Sequence, residues 1–432
     1  MSGDRRRSLA ALNAANFFVA DMTAVVLPFL GTFLKERHWR YDQIGIAGAV
    51  SGLGVLLAQT PAGVIVDRLR ARRLMLALTS LTVGLCYALL PMLASASTVG
   101  VYGALFTSGA ASAFFVPLLA ALALGLVGHR ALSRTMGTNQ SWNHAGNIAA
   151  ALLAAAVVGV DVRLVFFAVA AVSVLAAASV AAIRAADVDE GRGAGDGDHP
   201  TTISLETQTL RTLFRNRAVL TVFAATALFH LANAPAMPLV ALQVKSLHGT
   251  DRQVAMVVLV AQAVMIPVAL LAGWGCARWG RKATFAIGFL ALPVRIFLYS
   301  LARAPNTLLA LQALDGIGAG IYGVAIVAVC ADLTEGKGGF NALMGVIATA
   351  QAVGGVIGPL SSGLMVQHLG FGAAYDVLAA IAAVAAGVFL LGMPETGPAV
   401  RVSSGARRPG SPALAAPPPS RERPGSDAPP AR

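Results

Sequence analysis

The chain has 432 residues, of which 56% are hydrophobic and only 12% charged, and its formal net charge is +12. A soluble globular chain carries roughly 25% charged residues, so this balance excludes an ordinary soluble enzyme or binding module and points to a polytopic membrane protein. A transmembrane β-barrel is excluded as well, because the apolar residues come in long runs and do not alternate.

A helical span needs about 20 mostly apolar residues. Twelve such runs can be placed, at 9–34, 44–66, 72–93, 98–127, 135–160, 162–183, 217–244, 253–277, 283–302, 305–333, 340–368 and 371–393. Lipid offers no partner to a free backbone group, so each run is expected to be a helix. Residues 1–8 are a short N-terminal segment. The first apolar run is span-length with no small-residue cleavage site, so no cleavable signal peptide is expected.

Residues 184–216 are polar, Gly-rich and of mixed charge, and they divide the chain into six-helix bundles at 9–183 and 217–393. Part of this linker, near 203–215, reads as a short interfacial helix. The tail, 394–432, is rich in Pro, Ser, Ala and Arg and is expected to be disordered.

The basic balance sets topology and does not indicate a nucleic-acid partner. With both termini cytoplasmic, 24 of the 32 Lys and Arg fall in cytoplasmic segments, seven in outer loops, and Arg295 within a span. That asymmetry is what the positive-inside rule demands. Cys86, Cys276 and Cys330 have unrelated spacing in or at the ends of spans, with no metal or disulfide pattern.

The halves align on each other. At an offset of 210, Pro28 meets Pro238, Gln43 meets Gln253, Gly63 meets Gly273 and Arg68 meets Arg278; later, at 208, Gly146 meets Gly354. Two parallel six-helix repeats suggest a rocker with a site between the halves.

The loop between spans 2 and 3 reads "GVIVDRLRARR" (63–73). It resembles the loop 2–3 signature of the major facilitator superfamily: Gly, then Asp-Arg four residues on, then Gly-Arg-Lys/Arg. Gly63, Asp67, Arg68 and Arg72 match, while Arg70 and Ala71 depart. The second copy, "GWGCARWGRK" (273–282), keeps Gly273, Arg278, Gly280, Arg281 and Lys282, with Ala277 in place of the acid. The resemblance covers roughly residues 8–394. It implies an all-α fold of two pseudo-symmetric six-helix bundles, with spans 1, 4, 7 and 10 lining a central cavity. It also implies a conformational latch at these loops, holding the halves together on the cytoplasmic side in the outward-open state. Gly63 is expected to allow close helix packing, as small residues do in membranes.

Ionisable groups inside a membrane are expensive, so each is a functional candidate. Asp21 lies in "VADMTAVVLPFL" (19–30) with no Lys or Arg at its depth in spans 1–6; its nearest candidates are His144 and His230, both titratable near neutral pH. Asp21 and His230 are therefore the candidate proton-coupling pair. Gln140, Asn143, His144 and Asn147 recur at i, i+3, i+4, i+7, which stacks them on one face of span 5. With Asn233 and Asp315 they form the candidate substrate cavity. Asp315 on span 10 and Arg295 on span 9 lie within about 3 Å of each other in depth at 1.5 Å per residue, so a structural ion pair is the economical reading.

"DMTAVVLP" (21–28) is similar to the Asp-x-Thr…Leu-Pro pattern on span 1 of some drug–proton antiporters, two residues shorter. Span 4 lacks the arginine and span 5 the Gly-Pro motif of such proteins. The expected function is a secondary transporter exporting a small organic molecule against proton entry. Proton symport or uniport for uptake is the alternative, and a non-transporting membrane sensor on the same fold a remoter one. No nucleophile–base pair, metal set or phosphate loop supports an enzyme, and no cofactor is expected. The partners expected are a small-molecule substrate, protons and the lipid bilayer, without nucleic acid. A monomer in a bacterial inner membrane is expected.

Overall fold

In the computed structural model, the residues described are 3–24, 26–68, 71–189, 215–334 and 340–396. Most of the linker, including the interfacial helix expected near 203–215, and the tail from 397 onward lie outside them.

The described residues are almost wholly helical. In chain order the first half contains α1 (Gly3–Ala24), α2 (Val26–Glu36), α3 (Tyr41–Arg68), α4 (Arg72–Ala96), α5 (Thr98–Ser112), α6 (Phe115–Val157) and α7 (Arg163–Ala181). The second half contains α8 (Arg217–Asn233), α9 (Ala236–Ser246), α10 (Asp251–Arg278), α11 (Arg281–Leu301), α12 (Pro305–Thr334) and α13 (Phe340–Gly392). Gly128 inside α6 has φ +69° and Gly370 inside α13 has φ +81°. That left-handed backbone is open to glycine at little cost, and it divides each long helix into two passes. Spans 4 and 5 join at Gly128, and spans 11 and 12 at Gly370. Spans 1 and 7 are each built of two pieces, α1 with α2 and α8 with α9. The chain thus passes twelve times between a face that carries residues 3–8 and an opposite face. Among the described residues, nine helical stretches are individually long and apolar enough to cross a membrane.

The repeat extends to individual backbone angles. Span 1 ends at His38 with φ +64° and span 7 at His248 with φ +60°, each an exposed non-glycine in left-handed backbone. Gln43 then accepts a hydrogen bond from the Arg40 N–H (3.0 Å) as span 2 begins, and Gln253 accepts from the Thr250 N–H (2.8 Å) as span 8 begins. These caps satisfy donors that a helix start leaves free.

Buried side chains form two clusters. One lies wholly in the first half; the other centres on the second half and takes in Phe29, Ala150, Ala151 and Ala154 from spans 1 and 5. Large apolar side chains such as Leu57, Leu74, Met92, Leu270 and Leu391 point outward instead. Such a girdle would be a liability in water and is the expected coat in lipid.

Candidate functional site

Span 1 lies directly on span 5. A Cβ built on Gly146 would stand 2.2 Å from the Phe17 carbonyl oxygen and 3.1 Å from the Ala20 Cβ, so only glycine fits there. This crossing brings Asp21, one residue past Ala20, to the level of the polar stripe on span 5. Asp21 is 8% exposed, and among the described residues its carboxylate has neither an ion pair nor a hydrogen bond. On the stripe, Asn143, His144 and Asn147 are half-buried and Gln140 is exposed. Gln140 Nε2 and His144 Nε2 are 3.4 Å apart, and among the described residues His144 Nδ1 is sealed without a partner.

The second half repeats the crossing, with Gly354 of span 11 against the backbone of His230 and Leu231. Its polar groups are organised differently. Arg295, 3% exposed, pairs through Nη1 with Asp315 Oδ1 and donates from Nη2 to Asn233 Oδ1 at 2.5 Å. His230, Asn233, Arg295 and Asp315 line one cavity of about 150 Å³, together with Phe229 and Tyr322. Among the described residues, none of the first half lines it, so His230 keeps company with Asp315 there. His230 Nδ1 lies 3.1 Å from the Thr226 carbonyl oxygen. Tyr322 OH accepts from Gln351 Nε2 at 3.1 Å. Neither Tyr322 nor Gln351 stands out in the sequence. A tyrosine among span-10 glycines is the one signal that points to it.

At the latch loops, the side chains of Asp67 and Arg68 lie outside the described ones. The close packing expected at Gly63 is not seen with the halves closed at the opposite face. Among the described residues, a Cβ at Gly63, or at its repeat mate Gly273, would meet nothing within 4 Å. Arg278 lies over the Trp274 ring at 5.6 Å. Gly280 turns the chain into span 9 with φ +98°. Arg281 pairs through Nε with Asp332 at 3.1 Å and donates from Nη1 to the Cys276 carbonyl at 2.7 Å. Asp332, at the end of span 10, supplies an acid to the loop that carries Ala277. Glu395, just past span 12, accepts from the Arg281 N–H at 2.6 Å and from the Lys282 N–H. A carboxylate at a helix N-terminus is favoured by the partial positive charge there.

The halves meet on the face opposite residues 3–8. Gly45, Gly48 and Gly52 of span 2 lie on Gly363, Pro359 and Gly355 of span 11, so closely that a Cβ on Gly45 would stand 2.6 Å from the Pro359 carbonyl oxygen. The Tyr41 N–H donates to Gln367 Oε1 at 2.9 Å, and Lys245 bridges Glu36 and Asp251 at 2.9 and 2.8 Å. Beside this seam is an apolar cavity of about 270 Å³ lined by spans 1, 2, 7 and 11.

The sequence profile of the Major Facilitator Superfamily matches twice, at residues 10–234 and 222–423. The uncharacterized MFS-type transporter Rv2456c of Mycobacterium tuberculosis is 36% identical over 399 residues, covering 90% of this chain and 94% of that protein. Among solved structures, the nucleoside transporter NupG superposes with a TM-score of 0.72 at 13% identity, covering 90% of this chain and 99% of its own. A bacterial homolog of the human lysosomal transporter Spinster, in an inward-facing and unoccupied conformation, gives 0.68 at 15% identity, covering 91% and 97%. At these identities the two structures speak to the fold alone. The profile and the Mycobacterium relative go further: this chain belongs to the Major Facilitator Superfamily, a multi-pass secondary transporter of small molecules.

Proposed function

We propose that the protein couples transport to protons, with Asp21 as the coupling acid, and that it exports a small organic molecule from a bacterial cytoplasm. The observation that carries the coupling is the isolation of the Asp21 carboxylate at the span 1–span 5 crossing. Among the described residues, no fixed cation competes with a proton for its oxygens, and the neighbouring stripe is uncharged apart from what His144 takes up. The span-1 pattern shared with drug–proton antiporters supports export. The lysine and arginine distribution supports cytoplasmic termini, so that the closed seam is the outer gate. The Arg295–Asp315 pair is assigned a structural part and the two basic loops a latch. Spans 1 to 12 serve as one monomeric unit.

Uptake by symport is the second reading, favoured by the architecture shared with the nucleoside transporter NupG. Proteoliposome flux with an imposed pH gradient separates the two by the sign of coupled movement. Asp21→Asn is expected to abolish acceleration by the gradient while leaving slow, gradient-independent exchange. Equal gradient-driven flux in the variant and the wild type removes Asp21 from the coupling role.

A further inference from the structure

The cavity inside the second half has a chemistry of its own. It holds about 150 Å³ and, among the described residues, is walled by spans 7, 9 and 10. Liquid water takes about 30 Å³ per molecule, so the space exceeds one or two ordered waters and matches a single-ring group. Its polar atoms are already half engaged. Asp315 commits Oδ1 to Arg295, which leaves Oδ2 as an acceptor. Asn233 commits Oδ1 to Arg295, which leaves the Nδ2 amide as a donor. His230 directs Nδ1 at the Thr226 carbonyl, so the neutral ring presents Nε2 as an acceptor. Among the described residues, none of these three atoms has a protein partner, and none is sealed off from the space they line. Tyr322, stacked on Phe229 at 5.0 Å and 19°, supplies an aromatic wall.

Charge narrows the occupant. Arg295 and Asp315 cancel each other, so a cationic or anionic head would bring an unpaired charge into a low-dielectric pocket, which disfavours it. We infer that this cavity is a binding subsite for an uncharged planar head group bearing N–H donors beside a hydrogen-bond acceptor: a carboxamide or an amino-substituted heteroaromatic ring. The donors reach Asp315 Oδ2 and His230 Nε2, the acceptor takes the Asn233 amide, and the ring lies beside Tyr322. This names the substrate class of the transport reading above and rests on that reading only for the claim that the bound molecule is carried.

The test is equilibrium binding to the full-length protein in detergent, with nicotinamide and 2-aminopyrimidine as probes against benzamidine, benzoate and toluene. Saturable binding of the first two, about tenfold or more tighter than the other three (about 1.4 kcal/mol), is expected, since the other three leave buried polar groups unmatched. Asn233→Leu is expected to erase that preference. Gly323→Val is the steric control. Gly323 lines the cavity and a Cβ there meets nothing within 4 Å, so the variant narrows the space and spares the Arg295–Asp315 pair. It should weaken both probes by about fivefold or more, a shift of about 1 kcal/mol. Several results would each overturn the assignment: no saturable binding of either probe up to its solubility limit, equal binding of toluene, a preference for benzamidine or benzoate, or probe affinities unchanged in both variants. Binding is read without a gradient, so loss of proton-coupled flux leaves this outcome untouched and the two readings fail separately.

Discussion

The two halves share a backbone down to the left-handed histidines that end spans 1 and 7, yet they treat a buried carboxylate in opposite ways. In the second half Asp315 is locked to Arg295, and Asn233 is tied to the same guanidinium. In the first half Asp21 has no such partner among the described residues, and the corresponding parts of spans 3 and 4, residues 83–87 and 104–110, contain no charged side chain. Both solutions answer the cost of a charge away from water. A fixed pair keeps its charge in every conformation, which suits a scaffold. A lone acid has charge to exchange, which suits a step that changes as the halves rock. A symmetric fold thus carries asymmetric chemistry.

The most severe way to break this comparison is to strand a charge in the scaffold. Arg295→Ala leaves Asp315 buried and unpaired, and removing one partner of such a pair costs about 3–5 kcal/mol. Thermal unfolding in detergent should show a large fall. The double change Arg295→Met with Asp315→Leu should recover most of it, because apolar replacement of a buried pair is close to neutral. Wild-type stability in Arg295→Ala would sink the scaffold reading. Asp21→Asn, by the same measurement, should stay within about 1 kcal/mol of wild type, since it breaks no ion pair.

The seam between the halves gives an intermediate effect. A Cβ at Gly45 meets the Pro359 carbonyl oxygen and the Gly363 backbone below contact distance, and overpacking of this kind costs about 1–3 kcal/mol. That cost falls on the state in which spans 2 and 11 touch. Gly45→Ala should therefore shift the population toward the state open at this face. Labelling of an Ile44→Cys reporter from that side reads the shift, with Cys86, Cys276 and Cys330 buried in the background. Unchanged labelling would mean that the seam relaxes by other means.

Much of the frame is legible in the sequence because it rests on local or periodic signals. Span-length apolar runs mark the passes, and the offset of 210 from Gln43 to Gln253 marks the repeat. Residue counting puts Arg295 and Asp315 at one depth. It does not show Asn233 tied to that arginine, because which way each helix face turns is set by packing against neighbours. Asp332 and Glu395 are harder still. Each sits at the end of a helix far along the chain from Arg281, and only the folded bundle brings them to its guanidinium and amide. Gly63 teaches the reverse lesson: a glycine in a recognisable motif invites a packing explanation, and with the halves closed at the opposite face the described neighbours leave its space open.

The smallest effect tests the shared backbone itself. A non-glycine residue in left-handed conformation costs about 1–2 kcal/mol, and both histidines are exposed and end a helix. Glycine relieves that strain but enlarges the unfolded ensemble, which returns about 0.4–1 kcal/mol. The difference predicts a gain of roughly 0.5 kcal/mol for His38→Gly and the same for His248→Gly. If both turns do only the same steric work, the two gains should be equal and additive, since the sites are independent. An unequal pair would mean that one imidazole acts where the other does not, and the asymmetry seen at Asp21 and Asp315 would then extend to the outer rim of the fold.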